Sequence, residues 1–188
     1  KEELKKILKP SRYMHSTGVE EVAMDLAAIN GYDIEKAALA GILHDCAKYL
    51  TEEELLEECA RYSLPVTATE KKCPFLLHAK VGALYARIKY GIDDEEILNA
   101  IRYHTTGRPD MSLLEKIIFT ADYIEPYREP LPRIDEIRRA AYDKLDSGIV
   151  MILENVIDYL HSTAEVIDTT TIDTYKYYKG LLLQEEVK

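Results

Sequence analysis

Residues 41–50 read GILHDCAKYL, and they set an imidazole, His44, directly beside a carboxylate, Asp45, inside an apolar stretch with Lys48 close behind. A buried charge is costly unless it is paired or bound to a cation. The chain holds four other histidines, at 15, 78, 104 and 161, and a second aspartate in an apolar run, Asp122 in FTADYI. Neutral imidazoles suit iron, zinc, manganese and similar ions, and carboxylates add hardness and charge. Neighbouring helical residues point about 100° apart. His44 and Asp45 would then grip one ion from two sides, or Asp45 would bridge two ions.

The elements that must position these groups read as helices almost throughout. Apolar spacing predicts helices over 10–30, 33–49, 76–90, 93–104, 134–145, 147–166 and 172–184. A short acidic helix is expected from a capping box at Thr51–Glu54 to about Tyr62. A second box at Ser112–Glu115 opens a helix to about Tyr123. Pro10 near one helix start and Gly31 past its end follow the expected asymmetry. The segment with Pro65 and Pro74 reads as a loop, as does that with Pro126, Pro130 and Pro132. No stretch alternates in the strand manner. The expectation is a single all-α domain over residues 1–188. The motifs occupy about 10–165, and the tail at 167–188 carries none beyond its helix.

On this frame His15 joins the stripe of Val19, Val22 and Leu26. His44 falls with Ala37, Gly41 and Lys48, whose small members let another helix come close. His78 aligns with Gly82 and Tyr85, and His104 ends the stripe of Ile97, Ala100 and Ile101. One inward histidine is ordinarily a satisfied core residue. Four of them with two aspartates, on five helices of one small core, are better explained by a shared metal site. His161 lies late in the helix of Ile149, Leu153, Val156 and Leu160, where a cation suits the helix dipole, and is read as structural. Phosphate-type ligands need cations as well. Arg12 lies one turn before His15, Lys48 one turn after His44, and Arg128 a short loop beyond Asp122. Thr105 and Thr106 could donate hydroxyl bonds to phosphate or cap the helix end. Gly107 and Arg108 read as turn residues.

The net charge is −10, from 34 acidic and 24 basic residues, which argues against a nucleic-acid partner, since phosphate backbones require a basic face. No apolar run reaches the length of a membrane span, and no signal-peptide pattern is present. Cys46, Cys59 and Cys73 are odd in number and follow no zinc-finger spacing, which favours a reducing, cytoplasmic setting. The chain opens at Lys1 without Met, so a few residues are expected to precede it. Its 14 tyrosines hint at a homodimer.

The order His15, His44-Asp45, His78, His104, Asp122 resembles the HD-domain superfamily of metal-dependent phosphohydrolases. RYMHSTGV (12–19), GILHDCAKYL (41–50), LLHAKVGALYA (76–86) and the run from GIDDEEILNAIRYHTTG to ADYIEPYRE (91–129) look like the YqeK family, the bacterial HD-type symmetrical diadenosine tetraphosphate hydrolases. One departure is Tyr127, where the family is expected to carry glycine, so the loop before Arg128 is expected to differ in shape.

The resemblance implies a helical HD domain that splits diadenosine tetraphosphate into two ADP by metal-activated water. It implies iron, ferrous or ferric, as one ion or a pair, with manganese, cobalt or zinc as substitutes. His15, His44, Asp45 and Asp122 would hold the main ion. His78 and His104 would serve a second ion or touch phosphate. His44, Asp45 and Lys48 form the expected catalytic group. The substrate-facing set is Arg12, Asp45, Cys46, Ala47, Lys48, His78, His104, Thr105, Asp122 and Arg128. Cys46 itself is read as packing, since on a helix it points away from the His44 face. The competing readings are another HD phosphohydrolase, acting on a nucleoside di- or triphosphate, a cyclic nucleotide or a guanosine alarmone, and a non-catalytic nucleotide-sensing module.

Overall fold

The computed structural model describes residues 1–163 and 166–186, and among these there is no strand. Eleven helices follow in chain order: α1 (Glu2–Ile7), α2 (Pro10–Ile29), α3 (Ile34–Leu43), α4 (Glu52–Arg61), α5 (Ala68–Lys72), α6 (Leu77–Tyr90), α7 (Glu95–Tyr103), α8 (Leu113–Ile124), α9 (Ile134–Asp143), α10 (Leu145–Ser162) and α11 (Thr169–Glu186). A 3-10 turn, Pro74–Leu76, precedes α6.

Side-chain caps open several of these helices. The Asp33 carboxylate accepts from the amides of Glu35 and Lys36 and so opens α3. Both expected capping boxes form, at Thr51–Glu54 and Ser112–Glu115. A third, Thr67–Glu70, opens α5 inside what reads in the sequence as loop. The signature was present in TATE, and only the absence of a following apolar run concealed it. α1 was not expected either, because six residues are too few to show a period.

α8 lies at the centre. Leu114, Ile117, Ile118, Phe119, Thr120, Ala121 and Ile124 are all buried, as befits a helix that is apolar nearly all round. It packs against α2, α3, α7, α9 and α10. α2 and α3 lie close because Gly41 has no side chain. A Cβ there would stand 2.9 Å from the Cα of Glu20. The expected closeness at Gly41 is therefore real.

One boundary differs from the sequence reading in a way that matters. The helix expected over 33–49 stops at Leu43, and residues 44–49 form successive turns instead. His44 and Lys48 consequently do not share a helical face. The tail is also integral: Tyr178 of α11 is fully buried, and its hydroxyl accepts the amide of Met111 at 2.9 Å. Of the helix expected over 147–166, residues 164 and 165 lie outside the described residues.

Candidate metal centre

Four imidazoles meet in the space between α2, α6, α7, α8 and the turns after α3. His15 and His44 approach through their Nε2 atoms at 3.2 Å, and His78 and His104 do so at 3.1 Å. Helix endings explain how three of them are aimed. His44 follows the last residue of α3 and donates Nδ1–H to the Gly41 carbonyl at 2.7 Å. His104 follows the last residue of α7 and donates to the Ile101 carbonyl at 2.7 Å. His78, in the first turn of α6, donates to the Phe75 carbonyl at 2.5 Å. The first two bonds use carbonyls in the last turn of a helix, where no amide four residues on completes the helical ladder, and Gly41 also accepts the His44 amide at 3.4 Å. All three put the ring proton on Nδ1 and leave Nε2 as a lone pair facing inward.

Asp45 stands between the two pairs. Its Oδ2 lies 3.5 Å from His44 Nε2 and 3.9 Å from His15 Nε2. Its Oδ1 lies 3.3 Å from His78 Nε2 and 3.6 Å from His104 Nε2. Asp122 Oδ1 lies 3.0 Å from His15 Nε2 and 3.7 Å from His44 Nε2. Oδ1 of Asp45 is buried with no hydrogen-bond donor of its own. Lone pairs facing lone pairs in a buried space call for a cation. Two groups have ligand atoms close enough to share one: His15, His44 and Asp122, and His44, Asp45 and His104. This N/O donor set fits a divalent transition-metal ion.

The electrostatics agree. Despite the burial that opposes ionisation, the surrounding imidazoles, where they carry a proton on Nε2, hold the carboxyls of Asp45 and Asp122 well below the usual carboxylate range, and Arg128 adds to this at Asp122. Burial and the Lys48 charge push His78 down to about 4. Burial also works to lower His15, but Asp122, Glu125 and Asp45 outweigh it and leave that ring above its ordinary value.

Cations ring the cluster. Arg12 Nη1 donates to Asp45 Oδ2 at 2.9 Å, and Arg128 Nη2 donates to Asp122 Oδ1 at 3.3 Å. Lys48 Nζ lies 3.2 Å from His78 Nε2. Burial, with Arg12 and Arg128 adding to it, lowers the Lys48 pKa. The Thr105 hydroxyl lies 3.1 Å from His104 Nε2 and 3.3 Å from His78 Nε2.

Other expected residues are placed differently. Cys46 and Ala47 are buried with their side chains in the core, and the Cys46 thiol donates to the Gly82 carbonyl at 3.3 Å. Thr106 bonds the Gly107 carbonyl, and Arg108 is committed to Glu115 through two bonds of 2.8 and 2.7 Å. His161 is exposed in the last turn of α10. Tyr127 packs its loop against α2. Its ring lies over Gly18, where a Cβ would stand 2.7 Å from Cδ2, and its hydroxyl donates to Glu21. Its φ is not positive, so the backbone there does not require glycine.

The sequence reading missed Glu125, whose buried carboxylate accepts Nδ1–H of His15 at 3.0 Å. Its place one turn after Asp122 in ADYIE was the available signal. It also missed a cavity of about 550 Å³ that runs from Thr105 and Thr106 past Tyr103, Arg102 and Leu76 to Asp168.

Residues 12–127 match the family model described as HD domain. The chain is 44% identical over 179 residues to the symmetrical bis(5'-nucleosyl)-tetraphosphatase of Halalkalibacterium halodurans, covering 93% of this chain and 91% of that one. It is 40% identical over 174 residues to the protein of the same name from Bacillus subtilis, covering 93% and 92%. A crystal structure from Clostridium acetobutylicum, described as a predicted HD superfamily hydrolase involved in NAD metabolism, superposes with a TM-score of 0.92 at 42% identity. That match covers 95% of this chain and 94% of the other.

Proposed function

We propose, since the chain belongs to the HD domain family and within it aligns with the symmetrical bis(5'-nucleosyl)-tetraphosphatases over most of both lengths, that it hydrolyses diadenosine tetraphosphate between the second and third phosphates, giving two ADP. The observation that carries the chemistry is the convergence of four Nε2 lone pairs and two carboxylates beside three cationic side chains.

In this reading His15, His44, Asp45 and Asp122 hold the main ion, which we take to be iron. His78 and His104 hold a second ion or hydrogen-bond a phosphate. A bound ion supplies Lewis acidity and brings the pKa of water to about 7. The chain's own groups do the rest. Arg12 and Arg128 present several N–H donors each to the tetraphosphate, and Lys48 adds a compact charge that its low-dielectric setting strengthens. The Thr105 hydroxyl stands where it can donate to a phosphate oxygen. Asp45, held ionised by its imidazole neighbours, accepts a hydrogen bond from the attacking water and orients it. The cavity beyond Thr105 is within the usual range for a small-molecule pocket of about 300–1,000 Å³ and takes one nucleoside. The three thiols are free, which supports a cytoplasmic location.

The test is chromatography of the products formed from diadenosine tetraphosphate under anaerobic conditions with ferrous iron, for wild type and Asp45→Ala. ADP as sole product, with an inert variant, is expected. AMP with ATP would show that the cleavage site is wrong. No cleavage by metal-loaded protein would turn attention to other nucleotide substrates and to a sensing role.

A further inference from the structure

We propose that Glu125 is the positioning residue of His15, fixing its ring through Nδ1 so that Nε2 faces the ion, and that Gly18 exists to leave room for its carboxylate. The inference rests on the metal-centre reading above and adds to it a residue that does not touch the ion.

The four imidazoles are not held alike. His44, His78 and His104 each give Nδ1–H to a backbone carbonyl three residues back, at Gly41, Phe75 and Ile101. For His15 the corresponding residue is Arg12, inside the unbroken helix α2, where carbonyls bond along the helix. His15 therefore needs an acceptor from elsewhere. Glu125 provides it: Oε1 lies 3.0 Å from Nδ1, and Glu125 is 1% exposed. Asp122 and Glu125 are separated by one turn at the end of α8, and they meet opposite nitrogens of the same ring, each at 3.0 Å.

The carboxylate is itself held. Oε2 accepts the Tyr127 amide at 2.6 Å. The Ile124 and Glu125 carbonyls accept from Arg138 of α9 at 3.0 and 3.2 Å, and the Glu125 amide donates to the Ala121 carbonyl. On the facing helix, a Cβ at Gly18 would stand 2.6 Å from Oε2, closer than real contacts allow. A neutral carbonyl suffices to orient a histidine, as the other three show. A buried carboxylate does more, because it raises the basicity of the ring it holds and hence the strength of His15 as a ligand.

The experiment titrates cobalt(II) into metal-free protein in competition with a chelator and records the visible absorption of the cobalt complex. Glu125→Gln is expected to bind cobalt about 10- to 100-fold more weakly, with a changed spectrum. A residue acting only through His15 adds nothing once His15 is gone, so His15→Ala/Glu125→Gln should bind no more weakly than His15→Ala. Unchanged affinity and spectrum in Glu125→Gln overturns the proposal, as does a double variant whose losses multiply. Gly18→Ala keeps both side chains and displaces the carboxylate together with the Tyr127 ring, whose Cδ2 the new Cβ would approach to 2.7 Å. It should weaken cobalt binding in the same direction, and unchanged binding there also counts against the proposal, including where Glu125→Gln fails to fold. Hydrolysis is not read in this experiment, so an error in the assigned substrate leaves the result standing.

Discussion

Arg12 Nη1 reaches the otherwise buried Asp45 and bonds its Oδ2 at 2.9 Å, while the Arg12 side chain stays more than a third exposed. The guanidinium therefore closes the solvent side of the carboxylate and keeps other N–H donors free for an incoming phosphate. Arg12→Lys retains the charge but loses the fork. It should lower kcat/KM for diadenosine tetraphosphate by roughly 10- to 100-fold, the worth of a hydrogen bond to a charged group of about 1.5–3 kcal/mol. Steady-state kinetics check this, and rates equal to wild type would remove Arg12 from the substrate set.

Asp45 faces one histidine pair with each oxygen, so its loss should affect ion binding before anything else. In wild type, a divalent metal at one hundred times its Kd should stabilise the fold by about 2.7 kcal/mol, and removal by chelator should reverse this. Asp45→Asn should show little of that stabilisation. Thermal unfolding with and without cobalt(II) measures the difference, and an equal metal-induced rise in Tm in both proteins would contradict the role given to Asp45.

The way the site is assembled explains what the sequence could disclose. His15, His78 and Asp122 sit on the apolar stripes of long helices, so periodicity pointed them inward correctly. His44 and Lys48 reach the same place by another route, because α3 ends at Leu43 and the chain turns. Nothing in GILHDCAKYL breaks a helix by composition. The break is stabilised by a tertiary contact, the Cys46 thiol on the Gly82 carbonyl, and by a local one, the His44 ring on the Gly41 carbonyl. Glu125 stands one turn after Asp122, but nothing in the sequence tells that its carboxylate meets His15, 110 residues away. The tail gave no motif because its contribution is packing: Tyr178 and Thr174 brace the segment that follows His104.

The same carboxylates and cations separate the titrations of the histidines. In metal-free protein His15 should titrate above its ordinary 6.5, after burial's downward push is outweighed by Asp122, Glu125 and Asp45, and His78 should titrate at about 4. The signs for stability then differ. The charged form of His15 stabilises the metal-free fold below pH 6.5, and this is lost as pH rises through the raised value. His78 is disfavoured when charged, so the fold weakens as pH falls from 6.5 toward 4. NMR titration of the imidazole resonances after chelation tests the order, and a His78 value above that of His15 would refute it.

α11 should support catalysis through packing alone. The Tyr178 hydroxyl accepts the Met111 amide at 2.9 Å, and Thr174 Oγ1 lies 3.3 Å from the Thr106 carbonyl, so one helix braces residues 104–111 from both ends. Tyr178→Phe keeps the ring and strands a buried N–H, at a cost of about 1–3 kcal/mol. Tyr178→Ala also empties a fully buried aromatic site, and by analogy with other large aromatic truncations should cost about 3–5 kcal/mol. Urea denaturation of the metal-loaded protein should rank them in that order. The kinetics should follow the geometry: the phenylalanine variant, with its ring in place, keeps kcat near wild type. The alanine variant frees the segment behind His104 and Thr105 and should lose kcat even well below its unfolding midpoint. If Tyr178→Ala retains full kcat while folded, the His104 turn is rigid without α11, and the tail serves stability only.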